Sequence, residues 1–328
     1  MLRTLASGFA LALAAITITL PCAAAPPQPW TDKPVTFVVP SAAGGSPDVL
    51  SRLVVNQASR DSGVTMVIDN RPGAAGNLGI AAIRRGAPDG TTIGFGNINT
   101  LAVNRSLFRK LPYDVDRDLV PVIHLFSLYN VLIVPVNSPL HSVQDLIARA
   151  HAQPGKLSYG ASGVGTTGHM GGELFKSMAK ADVAFIPYNG GPAALQDLMG
   201  GRLDFMFGNT SEAMPLIRGG KVRPLAVSSL KRIALLPEVP TLDEAGLKGY
   251  ETVAWGGVVA PRGTPAAVVD KVNAALQSAL QAPDVRKGLA ALGAEPAGGS
   301  PAQFRQLIDA ETAKWRDLIA NAHIEKLD

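Results

Sequence analysis

The chain has 328 residues, 47% hydrophobic and 17% charged, with 34 glycines, 25 prolines and 5% aromatics, which excludes disordered, fibrous and coiled-coil proteins. At about 150 residues per domain, the length predicts two domains with full cores and no need of disulfides. Lys and Arg number 30 against 26 Asp and Glu, a formal charge of only +4; no basic run interleaved with aromatics is present, so no nucleic-acid partner is expected.

Residues 1–25 read as an export signal. Arg3 supplies the positive end, Leu5 to Leu20 the apolar stretch, and Cys22 to Ala25 the small cleavage residues. Pro26 fits poorly just past a scissile bond, so cleavage is expected near Ala24, with the mature chain released into the periplasm. Two other readings are an uncleaved anchor and a lipoprotein acylated at Cys22. The apolar stretch falls short of the roughly 20 residues a spanning helix needs, and Pro21 opposes acylation. Cys22 is the only cysteine, so loss of the signal excludes disulfides, thiolate metal sites and cysteine nucleophiles.

After a Pro-rich lead-in, β-rich runs alternate with helical patterns. Strands are predicted at Val35 to Val39, Thr65 to Asp69, Thr92 to Gly96, Val131 to Val136, Leu157 to Gly160, Val183 to Pro187, Leu203 to Phe207, Pro224 to Ser228 and Gly256 to Ala260. Between them apolar residues recur at spacings of three and four, as at Leu50, Leu53 and Val54 and at Leu174, Phe175 and Met178. This alternation predicts an α/β fold of mostly parallel sheets with helices on both faces. Thr264 to Asp328 reads as helices, with starts at Thr264-Pro265 and Ser300-Pro301. One cluster of units precedes His124 and another runs from Val131 to Ser229; a cleft between them is the expected ligand site.

A strand, a loop of small residues and a helix start recur four times, at Ser41 to Asp48, Arg71 to Gly79, Tyr159 to His169 and Tyr188 to Ala193. Ser46-Pro47 reads as an N-cap and first-turn pair, while Pro192 and Thr166 or Thr167 open other helices. In parallel sheets such loops lie at the carboxyl ends of the strands, two from each domain facing across the cleft. Their amides and helix dipoles, each worth about 0.3–1 kcal/mol to an anion, suit a carboxylate without any arginine. Arg71 alone lies inside them, and it equally suits bracing its turn. Each loop by itself is also an ordinary α/β corner. The four together, with hydroxyls at Ser41, Ser162, Thr166 and Thr167 and the amide of Asn77, point to a small-anion site.

Gly163 to Gly168 also matches GxGxxG, so the alternative is a secreted or periplasmic NAD-binding oxidoreductase. It lacks the acidic residue such a site needs after the next strand, where Tyr188 and Asn189 stand. Ser162 has no glycine two residues on and reads as a ligand donor or a cap rather than a nucleophile. His169 and Glu173 lie one helical turn apart but have no third partner for a metal. Asp48 reads as a helix-dipole partner. Tyr188, Trp255 and Phe37 are the aromatic candidates for the cleft wall; aromatics at strand ends are more often core, so Tyr188, which begins a ligand-type loop, is the one expected to touch ligand. No catalytic residue, metal or cofactor is expected.

Several stretches, in one order over nearly the whole mature chain, carry a family resemblance. They are Val38-Val-Pro40 with Gly44, Gly45 and Asp48; Asp69 to Asn77; Pro88-Asp-Gly90; Leu111 to Asp114; Pro154 to Gly163 and on through His169 and Glu173; Pro187 to Gly190; Leu236 to Thr241; and Ala260 to Pro265. Together they resemble the substrate-binding proteins of tripartite tricarboxylate transporters, the Bug receptors. The resemblance implies a two-lobed type II periplasmic binding protein of the Venus-flytrap kind, with two crossovers, and no catalysis. Lobe 1 is then 26–127 with 253–328, and lobe 2 is 128–252. It also implies capture of a small carboxylate, delivery to a membrane permease of one large and one small subunit, and a monomeric receptor.

The ligand site implied by the resemblance comprises Ser41, Ala42, Ala43, Gly44, Gly45, Gly76 and Asn77 in lobe 1. In lobe 2 it comprises Ser162, Gly163, Gly165, Thr166 and Thr167, with Tyr188 and Asn209 beside them. Asp48 and His169, inside the matching stretches, complete the set. Two departures stand out: Ser41 where the family commonly has an aromatic residue, and Gly208-Asn209 where an Asp-Asn pair is frequent.

Overall fold

The computed structural model describes residues 29–321 and 324–328. The export signal, with Cys22 and the cleavage expected near Ala24, lies outside them. Among the described residues no helix is long and apolar enough to cross a membrane.

In chain order the first half builds β1 (Val35–Val39), α1 (Ser46–Ser62), β2 (Met66–Asn70), α2 (Asn77–Arg84) and β3 (Thr92–Asn97). Two short helices, α3 (Asn104–Leu107) and α4 (Val115–Asp118), lead into β4 (Leu119–Pro135). The second half follows with α5 (Val143–Ala152), β5 (Ser158–Gly160), α6 (Thr167–Ala179), β6 (Ala184–Ile186), α7 (Gly191–Met199), β7 (Phe205–Asn209), α8 (Thr210–Arg218) and β8 (Val222–Val227). The chain returns through β9 (Val253–Pro261) to α9 (Ala266–Gln281), α10 (Pro283–Ala291), β10 (Ala294–Gly298) and α11 (Pro301–Asn321).

The strands run β2-β1-β3-β9-β4-β7-β5-β6, with β8 and β10 also paired to β4. Strand β4 has 17 residues and serves both halves. Leu119 to Tyr129 pair with β9, while Asn130 onward pairs with β7 and β8. Pairing is parallel inside the βαβ units, β1 with β2 and β3, and β5 with β6 and β7. The expectation of mostly parallel pairing stops there: every pair made by β4 or β9 is antiparallel. The cause is the route of the chain, because β4 runs out to the second half and β9 runs back beside it. The all-helical reading of the last 65 or so residues is also corrected, since β10 pairs with β4 between two helices.

Helices cover both faces of each half. In the first, Val54 of α1, Leu276 of α9 and Leu289 of α10 pack on Phe37 and Phe126. On the opposite face Ile80 of α2 and Trp315 of α11 pack with Trp255 and Val259. In the second half Leu146 of α5 and Phe175 of α6 meet Tyr159, Phe205 and Phe207, and Leu195 of α7 and Met214 of α8 meet Ile133 and Met206. Each of these buried apolar side chains contributes roughly 1.5–3 kcal/mol.

The halves are joined where the two long strands pass between them. Ser228, fully buried, accepts the Asn130 amide on its hydroxyl oxygen at 2.9 Å and donates that hydroxyl to the Thr252 carbonyl at 2.7 Å. Its own backbone bonds the same two residues, Ser228 N to Asn130 O and Thr252 N to Ser228 O. Both connections are thus fastened to one side chain.

Candidate ligand-binding cleft

The four glycine-rich loops do converge. A cavity of about 390 Å3 lies between the halves, lined by Ser41, Ala42, Gly45, Gly73, Gly76, Ser162, Gly163, Thr166, Thr167, Tyr188, Gly190, Asn209 and others. Its size is that of a small-molecule site. Helix α1 starts at Ser46 with Gly45 as its cap residue and no side-chain cap, so Ser46 does not hold the N-cap place expected of it. A carboxylate from the other half takes over: Glu212 Oε1 accepts the Ser46 amide at 2.9 Å. The Ser211 hydroxyl donates to the Ser46 hydroxyl at 2.6 Å beside it.

The Ala74–Gly76 turn holds its shape under strain. Ala74 and Ala75 have φ of 47° and 53°, and Gly76 has 84°. Non-glycine residues in that region cost of order 1–3 kcal/mol each. The side-chain amides of Asn99 and Asn104 both donate to the Ala75 carbonyl, at 3.1 and 3.2 Å. Asn104 also donates to Asn77 Oδ1 at 2.7 Å, and the Tyr113 hydroxyl donates to the same oxygen at 2.9 Å. A side chain at Gly76 would strike Thr100 Cγ2 and the Pro40 carbonyl.

Loop Ser162–Thr167 opens α6. Thr166 is the N-cap, accepting the His169 amide, while its hydroxyl donates to the Gly163 carbonyl at 2.7 Å. The Gly165 amide donates to His169 Nδ1 at 3.2 Å. That bond requires an unprotonated Nδ1, and burial pushes the His169 imidazole down to about 4, with the Glu173 charge opposing and Lys176 adding. Glu173 itself accepts the Tyr159 hydroxyl and the Lys176 ammonium.

Asp48 accepts the Gly44 amide at 2.9 Å and binds Arg52 and the Asn70 amide through its other oxygen. Burial raises its carboxyl, but those bonds and the Arg52 charge outweigh it and hold the group below its ordinary range. It fastens the first loop from behind.

The residues expected at the site therefore divide. Ser41, Ala42, Gly45, Gly76, Ser162, Gly163, Thr166, Thr167, Tyr188 and Asn209 line the cavity. Ala43, Gly44, Asp48, Asn77, Gly165 and His169 do not. Gly165 faces the other half instead, where an added Cβ would sit 2.7 Å from Asn104 Oδ1. Two expected donors are already engaged: the Ser162 hydroxyl donates to Glu212 Oε2 at 2.8 Å and the Tyr188 hydroxyl to Asp197 at 2.7 Å. Asn209 accepts from Asn130 Nδ2 at 3.0 Å, which leaves its own amide hydrogens for the cavity.

Sequence reasoning missed the sheet-borne lining. Phe95, Phe126, Leu128, Ala254 and Trp255, on β3, β4 and β9, form an apolar floor. Phe95 and Phe126 stack at 5.5 Å, and Gly256 is bare because the Phe95 ring lies across it. Trp255, assigned to the core, is both core and lining, and its buried indole N–H has no partner among the described residues. Glu212 was missed as well. Enclosure between the halves raises its carboxyl above the usual range, against the lowering effect of the Ser46 and Ser162 bonds. Phe37 is core, as expected.

Residues 50–324 match the family described as tripartite tricarboxylate transporter family receptor. The chain belongs to that family. It is 34% identical to protein BugT of Bordetella pertussis over 288 residues, covering 88% of each chain. Among solved structures, R. palustris Rpa4515 with adipate is 39% identical, with a TM-score of 0.88 and coverage of 91% of this chain and 100% of that one. MatC from Rhodopseudomonas palustris with bound malate is 34% identical, with a TM-score of 0.83 over 87% and 98% of the two chains. Receptors of this family are periplasmic solute-binding proteins with the two-lobed α/β fold, and the chain has that fold.

Proposed function

We propose that the protein is an exported receptor that captures a small carboxylate in the inter-lobe cleft and releases it, unchanged, to a two-subunit membrane permease. The observation that carries this is the convergence of four amide-rich loops, two from each lobe, on a cavity that no lysine or arginine lines among the described residues. Peptide amides and helix starts, rather than a basic side chain, then neutralise the anion. The solved relatives, one with adipate and one with malate, support capture of a carboxylate.

In this reading the lobes are 26–127 with 253–328 and 128–252, the signal is cut near Ala24, and the receptor works as a monomer. Ser41, Ala42 and Gly45, with Ala75 and Gly76, hold the ligand from lobe 1. Ser162, Gly163, Thr166, Thr167, Tyr188 and Asn209 hold it from lobe 2. The ligand stabilises the closed arrangement because it touches both lobes only there.

A thermal-shift screen of the purified mature protein against mono-, di- and tricarboxylates tests it. At 100 times its dissociation constant an acid adds about 2.7 kcal/mol and raises the melting point by several degrees. No shift with any acid, together with a shift on NAD, would replace the receptor reading with the oxidoreductase one.

A further inference from the structure

Glu212 is the only charged side chain among the described residues that line the cavity. Both of its oxygens accept hydrogen bonds, Oε1 from the Ser46 amide at 2.9 Å and Oε2 from the Ser162 hydroxyl at 2.8 Å. A Cβ on Gly191, in the first turn of α7, would overlap its carboxylate. The carboxylate therefore caps the start of α1 and lies against the first turn of α7, taking up from within a place where an anion would be received. The start of α1 is thus spent on the protein's own negative charge.

We propose that the cleft selects acids bearing one carboxylate on an uncharged, apolar body, and that Glu212 enforces the choice by barring a second negative charge. The inference rests on the carboxylate reading and narrows it. One ligand carboxylate finds the amides of the Ala74–Gly76 and Ser162–Thr167 loops. A second would be enclosed in the same cavity as a fixed anion, with no cation among the described lining residues to offset either. The sheet-borne part of the lining is the floor of Phe95, Phe126, Leu128 and Trp255, which suits an alkyl chain or an aromatic ring. Removing the Glu212 charge while keeping an acceptor for the Ser46 amide should relax the choice.

Calorimetric titration with matched pairs tests this, hexanoate against adipate and benzoate against terephthalate, on the wild type and Glu212→Gln. In the wild type the monoacid of each pair binds at least about tenfold more tightly. In the variant the gap narrows to roughly threefold or less. A wild type that binds the diacid as well as the monoacid overturns the selectivity, whether or not the variant folds. A gap that survives unchanged in Glu212→Gln overturns the role of Glu212. If neither kind of acid binds, the carboxylate reading itself falls and this inference with it, an outcome distinct from tight binding of diacids.

Discussion

Asn130 Nδ2 donates to Asn209 Oδ1 at 3.0 Å, tying the strand shared by both lobes to the wall of the cleft. Asn130 does not line the cavity; it is buried beside Ser228 and Thr252 where the two connections pass. The side chain that orients Asn209 therefore belongs to the crossover between the lobes. Asn209→Ala should weaken ligand binding roughly tenfold and cost about 1 kcal/mol of stability, since it deletes a donor to the cavity and leaves the buried Asn130 amide without its acceptor. Asn130→Ala should weaken binding too, and should also cost about 1–3 kcal/mol of stability, because it empties a buried hydrogen-bonded position. Calorimetric titration and thermal melts of the two variants separate the effects.

Gly165 lies off the cavity wall, where the two lobes meet. Its φ of 75° and the Asn104 Oδ1 lying 2.7 Å from any added Cβ leave no room for a side chain when the lobes meet. Gly165→Val should hold the lobes apart. Small-angle scattering should then show a larger radius of gyration in the presence of saturating acid than for the wild type, with affinity greatly reduced.

Asn104 is a positioning residue. It holds the strained Ala74–Gly76 turn through the Ala75 carbonyl and Asn77 without lining the cavity. Asn104→Ala should cost about 1–3 kcal/mol in stability and release the turn. Chemical shifts of the Ala75 and Gly76 amides should move, and acid affinity should fall along with them.

The loops that carry this account were legible because strand, small-residue loop and helix start leave a local signature, repeated four times. The apolar floor was not. Phe95, Phe126 and Trp255 sit on extended strands, where a residue facing a cavity and a residue facing the core have the same neighbours in sequence. Glu212 was illegible for a different reason: a glutamate in the first turn of an amphipathic helix reads as a solvated dipole partner, and its two acceptor bonds come from residues 166 and 50 positions away. Asp48 and Asn77 were found but misplaced, since sequence marks the loop without saying which side chains brace it from behind. Strand β4 was read only from Val131 because Pro121 and His124 interrupt its apolar run, and the register shifts after each. Strand β10, Ala-Glu-Pro-Ala-Gly, has no β-branched or aromatic residue to announce it.

Acid should loosen the second-lobe loop through His169. The imidazole is neutral in the folded protein down to about 4, against an ordinary value of 6.5. On lowering the pH the unfolded chain takes up the proton first, so stability falls between those two values, by roughly 3 kcal/mol in all. Protonation also removes the acceptor for the Gly165 amide. Urea melts at intervals across this range should show the loss. His169→Asn, whose side-chain oxygen can accept the Gly165 amide without titrating, should flatten that part of the profile.

The most direct measurement is a crystal structure of the mature protein with the tightest-binding acid from the panel. The account predicts a carboxylate group between the Ala74–Gly76 turn and the Ser162–Thr167 loop, within hydrogen-bonding distance of backbone amides from both lobes and of the Asn209 side chain. An acid found outside the cleft, or held by one lobe alone, would contradict it.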